Sequence, residues 1–138
     1  MVNAHDITAM LKAHGVMPTR QRLMIARVLF ECHQHVSADQ ILGRVNSDRD
    51  RVSKATVYNT VGLFARKGLV REVIVDPSRV FYDTNTSDHH HFYNIDTGEL
   101  QDIEASSIEC SELPELPEGT VAAGVNIVVR LRNESTVD

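Results

Sequence analysis

Three consecutive histidines, His89–His91, form the densest group of metal-binding side chains in the sequence, and Asp83 lies shortly before them. Imidazole and carboxylate are the ligands that borderline and hard divalent metals prefer. Histidine is also the side chain that changes charge most readily near neutral pH. The stretch therefore predicts a metal- or proton-sensing segment, although a run of histidines is also typical of a solvated polar hinge.

The two cysteines, Cys32 and Cys110, are far apart, and neither belongs to a C-x-x-C pair. A four-thiolate zinc site within one chain is therefore excluded, and a disulfide is disfavoured in a reducing compartment. No apolar run approaches the roughly 20 residues that span a bilayer, and the first residues lack the pattern of a secretory signal. We expect a cytoplasmic protein without membrane contact, in which both cysteines fill apolar space.

The charges are distributed unevenly along the chain, although the whole carries a net charge of −5. Residues 1–72 hold 11 Lys and Arg against 6 Asp and Glu, a net of +5, whereas residues 73–138 hold 3 against 13, a net of −10. Such asymmetry is typical of a basic nucleic-acid-binding half joined to an acidic half, and ordinary solvated charge is the alternative.

The spacing of apolar residues in the first half predicts four helices and a hairpin. Ser37, followed three residues later by Gln40, forms the capping box that starts the third helix. The predicted elements are helices over 6–14, about 19–33, from 37 onward and about 54–67, followed by strands over 69–75 and 80–83. This order is that of a winged helix, and with the β-rich second half it predicts an α+β fold.

The exposed side of the fourth predicted helix carries hydroxyls, an amide, a phenol and a cation. Such groups suit base edges and phosphates, so this helix is predicted to enter the major groove, with the hairpin as a wing beside the backbone. The arginines that begin the second helix are predicted to add phosphate contacts, with solvated arginines on a buried helix as the alternative. The predicted DNA-binding residues are Arg20, Arg22, Lys54, Thr56, Tyr58, Asn59, Thr60 and Arg79.

The second half is predicted to be a small β-rich module. Strands are expected over 92–95, 100–103 and 121–131, with an acidic connection over 104–120 that includes a short strand or helical turn at 107–110. Three such strands bury too little apolar surface to be stable alone, so we expect a homodimer. The predicted organisation is a winged-helix DNA-binding domain over 1–83, a hinge over 84–91, and a small α/β dimerisation and effector-sensing domain over 92–138.

Six segments, taken together in this order, resemble the ferric uptake regulator (Fur) superfamily of bacterial metal-dependent repressors, and the likeness covers nearly the whole chain. They are Pro18-Thr-Arg-Gln-Arg, His35-Val-Ser-Ala-Asp, Ala55-Thr-Val-Tyr-Asn-Thr, Gly68-Leu-Val, Ser87-Asp-His-His-His-Phe and Asp96-Thr-Gly-Glu-Leu. Within the superfamily, the chain is most similar to the iron response regulator (Irr) branch. Three features indicate this: the Thr-Val-Tyr-Asn-Thr segment, the histidine segment and the absence of the cysteine pairs. Asn94 and Thr97 stand where most relatives have a C-x-x-C, which implies that the structural zinc held by four cysteines is absent.

The resemblance implies a regulatory metal site like that of the peroxide-repressor (PerR) branch. Its ligands come from the end of the second helix, the hairpin, the histidine segment and a strand of the second half. Three imidazoles and two carboxylates suit Fe(II), Mn(II) or Zn(II). The implied ligands are His35, Asp83, His89, His91 and Asp102.

His90 and Glu109, with His89, are candidates for a second metal site, and the histidines are also candidates for binding haem. Val125 replaces the histidine that relatives place on the last strand, where we expect an apolar core residue. Neither cysteine precedes a proline, so a Cys-Pro haem signature is missing and haem would have to use histidine ligands.

The resemblance also gives Tyr58 the role of a base-contacting tyrosine. Asn59 stands in place of the usual arginine, and an asparagine favours adenine where an arginine favours guanine. The expected partner is therefore double-stranded DNA with an A/T-rich inverted repeat. Met17 stands where relatives insert a lysine into the minor groove, so Arg20 or Lys12 would have to take that role.

The combined interpretation is a dimeric, sequence-specific transcriptional regulator of iron and haem homeostasis, gated by metal or haem between its two halves. A peroxide-sensing metal-dependent repressor is the alternative. A metalloenzyme is a remote one, because five protein ligands leave little room for a substrate and no nucleophile–base pair is evident. We therefore expect no enzymatic activity.

Overall fold

The computed structural model describes residues 4–31, 34–47, 51–76, 78–87, 89–108 and 113–135. The chain divides into two compact units, Met1–Thr86 and Ser87–Asp138, and this division falls within the stretch expected to be a hinge. No helix among the described residues has both the length and the apolar character needed to cross a membrane.

The described part of the first unit contains four α-helices and a three-stranded antiparallel sheet of order β1-β3-β2. Its elements are α1 (Ala4–Ala13), α2 (Arg20–Leu29), β1 (His35–Val36), α3 (Ala38–Val45), α4 (Lys54–Arg66), β2 (Arg71–Asp76) and β3 (Arg79–Asp83). The prediction of a winged helix in an α+β fold is confirmed, and the sheet gains a strand, β1, that the sequence analysis did not predict.

Local capping chemistry explains where three of the helices begin. Thr19 and Ser53 accept hydrogen bonds from backbone N–H groups of α2 and α4, respectively, and Ser37 forms the predicted capping box with Gln40. The first helix differs from the prediction, because it begins at Ala4 rather than after a cap at Asp6. Asp6 lies instead in the first turn, where its negative charge is favourable next to the helix N-terminus.

The second helix ends at Leu29, earlier than the predicted end at residue 33. The side-chain amide of Gln34 donates to the carbonyl oxygens of Val28 and Leu29 at 3.1 and 2.6 Å, which satisfies the end of the helix. The chain then turns into β1, which pairs with β3. The prediction that His35 lies at the end of the second helix is therefore wrong, because His35 begins a strand.

The four helices of the first unit enclose a single apolar cluster, to which the sheet contributes at one side. Its members alternate along each helix at spacings of three and four residues, as the sequence predicts. The fully buried side chains of this cluster include Leu11, Ile25, Leu29, Ile41, Val57, Val61 and Phe64. This core holds α2, α3 and α4 in fixed positions, and these helices carry the candidate interface.

The second unit is built on a three-stranded sheet of order β5-β4-β6, within the described residues. Its elements are β4 (His89–Asn94), β5 (Leu100–Glu104), a 3-10 turn (Ala105–Ser107) and β6 (Val128–Leu131). Strand β4 begins at His89 rather than at the predicted residue 92, so the three histidines belong to the central strand and not to a hinge. The turn expected at 107–110 lies partly outside the described residues.

The last strand is much shorter than the predicted strand over 121–131 and runs parallel to β4. At Ile127 the carbonyl oxygen still accepts the His91 N–H at 3.0 Å, whereas the N–H bonds to the His90 ring instead of to the backbone. Gly124 lies in the preceding segment, where glycine weakens a strand. Val125 is 38% exposed, so its expected place as an apolar core residue on this strand is wrong.

Candidate nucleic-acid interface and metal ligands

The outer face of α4 carries most of the side chains that the sequence assigns to DNA. Lys54, Tyr58 and Asn59 are exposed, and Thr56 is half-buried. The Ser53 hydroxyl accepts the Thr56 N–H at 3.1 Å and donates to Thr56 Oγ1 at 2.8 Å. The first turn of α4 is therefore fixed by the chain's own hydrogen bonds.

A hollow of about 490 Å³ lies between the first turn of α2 and the outer face of α4. Arg22 Nη1 donates to the Met17 carbonyl at 3.0 Å, which fixes this guanidinium at the start of the helix. A helix N-terminus with two arginines beside it favours an anion such as phosphate. The hollow is lined by Thr19, Arg20, Gln21, Arg22, Thr56, Asn59 and Thr60. Sequence reasoning missed Thr19 and Gln21, although both adjoin the predicted arginines at the start of α2.

Thr60 departs from the prediction that it belongs to the exposed reading surface. Its side chain is only 6% exposed. Val57, Thr60, Val61 and Phe64 follow the spacing i, i+3, i+4, i+7, so they share the face that α4 buries. Thr60 therefore contributes to the floor of the hollow rather than to the outer face of the helix.

Tyr58 makes a contact that the sequence analysis missed. Its phenol donates to Asp39 Oδ1 at 2.8 Å, and Lys54 Nζ lies 3.9 Å from the same oxygen. Lys54 Nζ also lies 5.5 Å from the centre of the Tyr58 ring, within the range of a cation–π contact. The hydrogen bond to Asp39 raises the pKa of Tyr58 above its ordinary value. No local sequence pattern reveals this contact, because it joins the first turn of α3 to α4.

Arg79 begins β3 and is exposed at the tip of the hairpin, as expected for a wing. The Asp76 carboxylate accepts both the Ser78 hydroxyl and the Ser78 N–H, at 2.7 and 2.8 Å. These hydrogen bonds hold the pKa of Asp76 below its usual range. The turn that presents Arg79 is thus fixed by a charged side chain.

The first unit holds two of the five expected metal ligands, side by side on neighbouring strands. His35 and Asp83 are paired residues of β1 and β3, and His35 Nε2 lies 3.4 Å from Asp83 Oδ2. Asp83 is 2% exposed, and its other oxygen accepts the Asn85 N–H at 2.9 Å. A buried carboxylate of this kind must be compensated by a positive charge or by hydrogen bonds.

The other three expected ligands lie together on one face of the second unit's sheet. His89 and His91 alternate along β4, and their Nε2 atoms lie 3.5 and 3.4 Å from Asp102 Oδ1 on β5. Both histidines are buried, at 4% and 2% exposure. His89 Nδ1 lies 2.6 Å from the Ser87 carbonyl oxygen, to which only a protonated nitrogen can donate. In a neutral ring this contact places the proton on Nδ1, so Nε2 is the nitrogen with which His89 could bind a metal.

His90 points to the opposite face of β4 from its two neighbours. Its Nδ1 accepts the Ile127 N–H at 3.1 Å, and the ring is 8% exposed. A neutral imidazole has one lone pair, so while this bond holds, Nε2 carries the proton and cannot bind a metal. His90 therefore does not fit the expected role of a second-site ligand in this conformation, and Glu109 lies outside the described residues.

Asn94 and Thr97, which the family resemblance aligns with a C-x-x-C pair, belong to a group of hydrogen-bonded residues that we call the polar clasp. The clasp consists of Asn94, Asp96, Thr97 and Asn133. Asn94 Oδ1 accepts the N–H groups of Asp96 and Thr97, and its Nδ2 donates to Asn133 Oδ1 at 2.8 Å. Asp96 Oδ2 accepts the Asn133 N–H at 2.8 Å. This polar clasp ties the β4–β5 turn to the segment after β6 without thiolates.

Comparison with known proteins identifies both the sequence family and the fold. The sequence model of the Ferric uptake regulator family matches residues 13–126. The peroxide-responsive repressor PerR of Staphylococcus aureus is 34% identical over 96 residues, which cover 70% of this chain and 65% of the relative. The match thus spans slightly less than two thirds of that relative's length.

Solved structures with the same fold are less similar in sequence. The ferric uptake regulator of Pseudomonas aeruginosa, with manganese, has a TM-score of 0.71 at 23% identity and covers 93% of this chain and 98% of its own. The ferric uptake regulator of Francisella tularensis, with iron, has a TM-score of 0.70 at 17% identity, covering 86% and 92%. At these identities the likeness establishes the fold.

Proposed function

The chain belongs to the Ferric uptake regulator family, and we propose that it is a dimeric, sequence-specific DNA-binding transcriptional regulator that responds to a divalent metal. Members of this family are transcriptional regulators and not enzymes, so the metalloenzyme alternative is abandoned. The observation that carries the proposal is the polar, partly basic face of α4 next to the arginine-lined hollow.

DNA binding through this face follows from its chemistry. Asn59 presents an amide that can donate and accept at once, which matches the N6 and N7 atoms of adenine. Arg20, Arg22 and the start of α2 suit a phosphate, and Arg79 on the wing suits the neighbouring backbone. An A/T-rich inverted repeat is the partner that these groups and a two-fold dimer would prefer.

The Asn59→Ala variant tests the base-reading role. Loss of a bidentate amide contact should weaken binding to the selected site by about 1–3 kcal/mol and change binding to random DNA little. Gln101→Ala, an exposed amide on β5 in the second unit, is the matched control and should change neither affinity. Equal losses of Asn59→Ala on both DNAs would show that Asn59 does not read bases.

Metal control is proposed to act through the ligands of both units. His35 and Asp83 would supply one part of the ligand set, and His89, His91 and Asp102 the other. Their donor types suit Fe(II), Mn(II) or Zn(II), and the buried Asp83 carboxylate favours a cation beside it. A bound ion would supply positive charge to both ligand groups. By binding both at once, it would favour one relative orientation of the units.

A double substitution, His35→Ala with His91→Ala, removes one imidazole from each ligand group. It should abolish the effect of added metal on DNA affinity, while circular dichroism stays unchanged. His14→Ala is the control, because His14 is an exposed histidine just after α1 in the first unit, and its Nδ1 contacts the Met10 carbonyl oxygen. A metal response that survives the double substitution would overturn the metal-control proposal.

We propose that the physiological signal is iron or haem status, as the similarity to the iron response regulator branch implies. A haem group bound through His90 would require His90 to release the Ile127 N–H. A haem titration followed by the Soret band, with and without His90→Ala, tests this requirement. An identical Soret spectrum in both proteins would remove His90 as an axial ligand.

Peroxide sensing is the second candidate, and the 34% identity to a peroxide-responsive repressor supports it. In that case hydrogen peroxide would oxidise a ligand histidine of the iron-loaded protein and release DNA. Mass spectrometry of peroxide-treated protein should then find one added oxygen on His35, His89 or His91. A protein that loses no DNA affinity and gains no oxygen would exclude this candidate.

The proposed dimer is supported by exposed apolar side chains in the second unit. A sheet of three short strands cannot shield these groups by itself. They are Ile95, Leu113, Leu116, Val121, Val125 and Val129, each at least 36% exposed. Analytical ultracentrifugation should give twice the chain mass, and a monomer at micromolar concentration would contradict the proposal.

A further inference from the structure

Asp39 places a negative charge on the surface that the proposed function assigns to DNA. Its side chain is 67% exposed in the first turn of α3, where it touches both Tyr58 and Lys54 of α4. Phosphate groups repel a carboxylate, so an exposed aspartate at this place opposes binding to any DNA. Asp39 therefore weakens DNA binding in general, and its contacts on α4 decide whether it also helps to select the DNA that binds.

The contact with Asp39 determines what Tyr58 can offer to a ligand. The phenol proton is donated to Asp39 Oδ1 at 2.8 Å, so it is not available to a phosphate oxygen. The residue remains 41% exposed. Held in this way, Tyr58 presents an apolar ring surface of fixed orientation, which suits the methyl group of thymine rather than the DNA backbone.

The same carboxylate restrains Lys54. Its ammonium lies 3.9 Å from Asp39 Oδ1 and 5.5 Å from the centre of the Tyr58 ring. The ion pair offsets part of the lysine charge that would otherwise attract phosphate without regard to sequence. Lys54 and Tyr58 are also separated by four residues on α4, so one carboxylate holds two neighbouring side chains of the reading face.

We infer that Asp39 is a specificity-determining positioning residue, which fixes Tyr58 for base contact and weakens the attraction of the α4 face for phosphate. This inference rests on the proposed DNA-binding function. It assigns to Asp39 two separable effects. Removal of its charge should strengthen binding to all DNA, and removal of the Tyr58 hydrogen bond should weaken binding only to the preferred sequence.

The experiment first selects the preferred sequence of the full-length wild-type protein from a randomised double-stranded DNA pool, with Mn(II) present. The dissociation constants for that sequence and for a scrambled duplex are then measured at several salt concentrations. Three variants are compared with wild type: Asp39→Asn, Tyr58→Phe and Glu31→Gln. Glu31 is an exposed acid just after the C-terminal end of α2, so Glu31→Gln removes the same charge from a residue outside the reading face.

Asp39→Asn should tighten binding to scrambled DNA about threefold to tenfold at low salt, as expected for removing one weakly screened charge near several phosphates. The ratio of the two affinities should fall by at least about threefold, because a neutral amide oxygen holds the Tyr58 phenol more weakly than the carboxylate does. Tyr58→Phe should weaken binding to the preferred sequence about threefold to tenfold and leave scrambled DNA within about twofold. In ultraviolet titrations, Asp39→Asn should also lower the raised pKa of Tyr58.

Two results would overturn the inference, and they are distinguishable. In the first, wild type selects a sequence, but Asp39→Asn and Glu31→Gln change the ratio of the affinities for preferred and scrambled DNA by the same amount. Asp39 then has no role in specificity, and the proposed function stands. If wild type shows no sequence preference in the presence of Mn(II), Fe(II) or Zn(II), the proposed function fails and the inference fails with it.

Discussion

Replacement of Asn94 by alanine should destabilise the second unit by removing three hydrogen bonds of the polar clasp. Oδ1 accepts two backbone N–H groups at 2.9 and 3.1 Å, and Nδ2 donates to Asn133 Oδ1 at 2.8 Å. A neutral hydrogen bond contributes about 0.5–1.5 kcal/mol net. Since Asn94 is half-buried, the lower part of that range applies, and the expected loss is about 2 kcal/mol.

Urea unfolding followed by far-ultraviolet circular dichroism measures this loss. With a slope of about 1–3 kcal/mol per molar urea, a loss of about 2 kcal/mol lowers the midpoint by roughly 1 M. Hydrogen exchange offers a local measurement, because the N–H groups of Asp96 and Thr97 should lose their protection in Asn94→Ala.

The matched control is Asn133→Ala, which removes only one of the three hydrogen bonds of Asn94. Its backbone N–H still reaches Asp96 Oδ2, so its effect should be about one third as large. Equal effects of the two substitutions, or no effect of Asn94→Ala, would refute the idea that Asn94 is the centre of the clasp. The relative positions of the turn and the segment after β6 would then have another cause.

Individual contacts lead to three more predictions. Burial raises the pKa of Tyr82 above its ordinary value of 10.0, so the ionised phenol is disfavoured in the folded state and stability declines as the pH rises above about 10. Thermal melts of Tyr82→Phe should show a smaller alkaline decline than wild type, because the raised pKa of Tyr58 remains; an unchanged decline would contradict the role of Tyr82. His90→Ala should lower the free energy of unfolding by about 1–3 kcal/mol, because it leaves the Ile127 N–H without its acceptor. His90→Asn places an oxygen near the lost Nδ1 and should lower the free energy of unfolding much less. Equal losses in the two variants would contradict the acceptor role of His90. Ser37→Ala removes the capping box of α3 and should cost about 1 kcal/mol in urea unfolding, and no measurable loss would show that the cap is dispensable.

The sequence predicts best those features that depend on neighbouring residues. Ser37 and Gln40 indicate the start of α3 through a contact over three residues, and the structure confirms both hydrogen bonds. Thr19 and Ser53 are equally local signals. These caps mark the starts of α2, α3 and α4. The winged-helix order follows because the apolar residues recur with helical period after each cap and with the alternating period of strands after α4.

Features that depend on distant residues could not be predicted from local patterns. The end of α2 is satisfied by Gln34, whose backbone is held in turn by Thr84, 50 positions later. Strand β6 begins only at Val128, and just before it the Ile127 N–H bonds to the His90 side chain, a contact between residues 37 positions apart. Asp39 escaped notice because nothing in the sequence indicates that the first turn of α3 meets Tyr58.

The candidate ligands were predicted by residue type and family resemblance rather than by local structure. The structure pairs His35 with Asp83 in one unit, and groups His89 and His91 with Asp102 in the other. The structure also separates His90 from these ligands, because successive side chains of β4 point to opposite faces of the sheet. The run of three histidines thus contains two candidate ligands on one face of the strand and one structural acceptor on the other.

The central claim is that this chain binds a specific DNA sequence under the control of a divalent metal. The most direct measurement is the dissociation constant for the DNA selected from a random pool, with metal added and with metal removed by a chelator. We predict an A/T-rich inverted repeat and a change in affinity of about tenfold or more, which disappears in the His35→Ala, His91→Ala double variant. The same affinity for selected and scrambled DNA, or no change on metal removal, would contradict the claim.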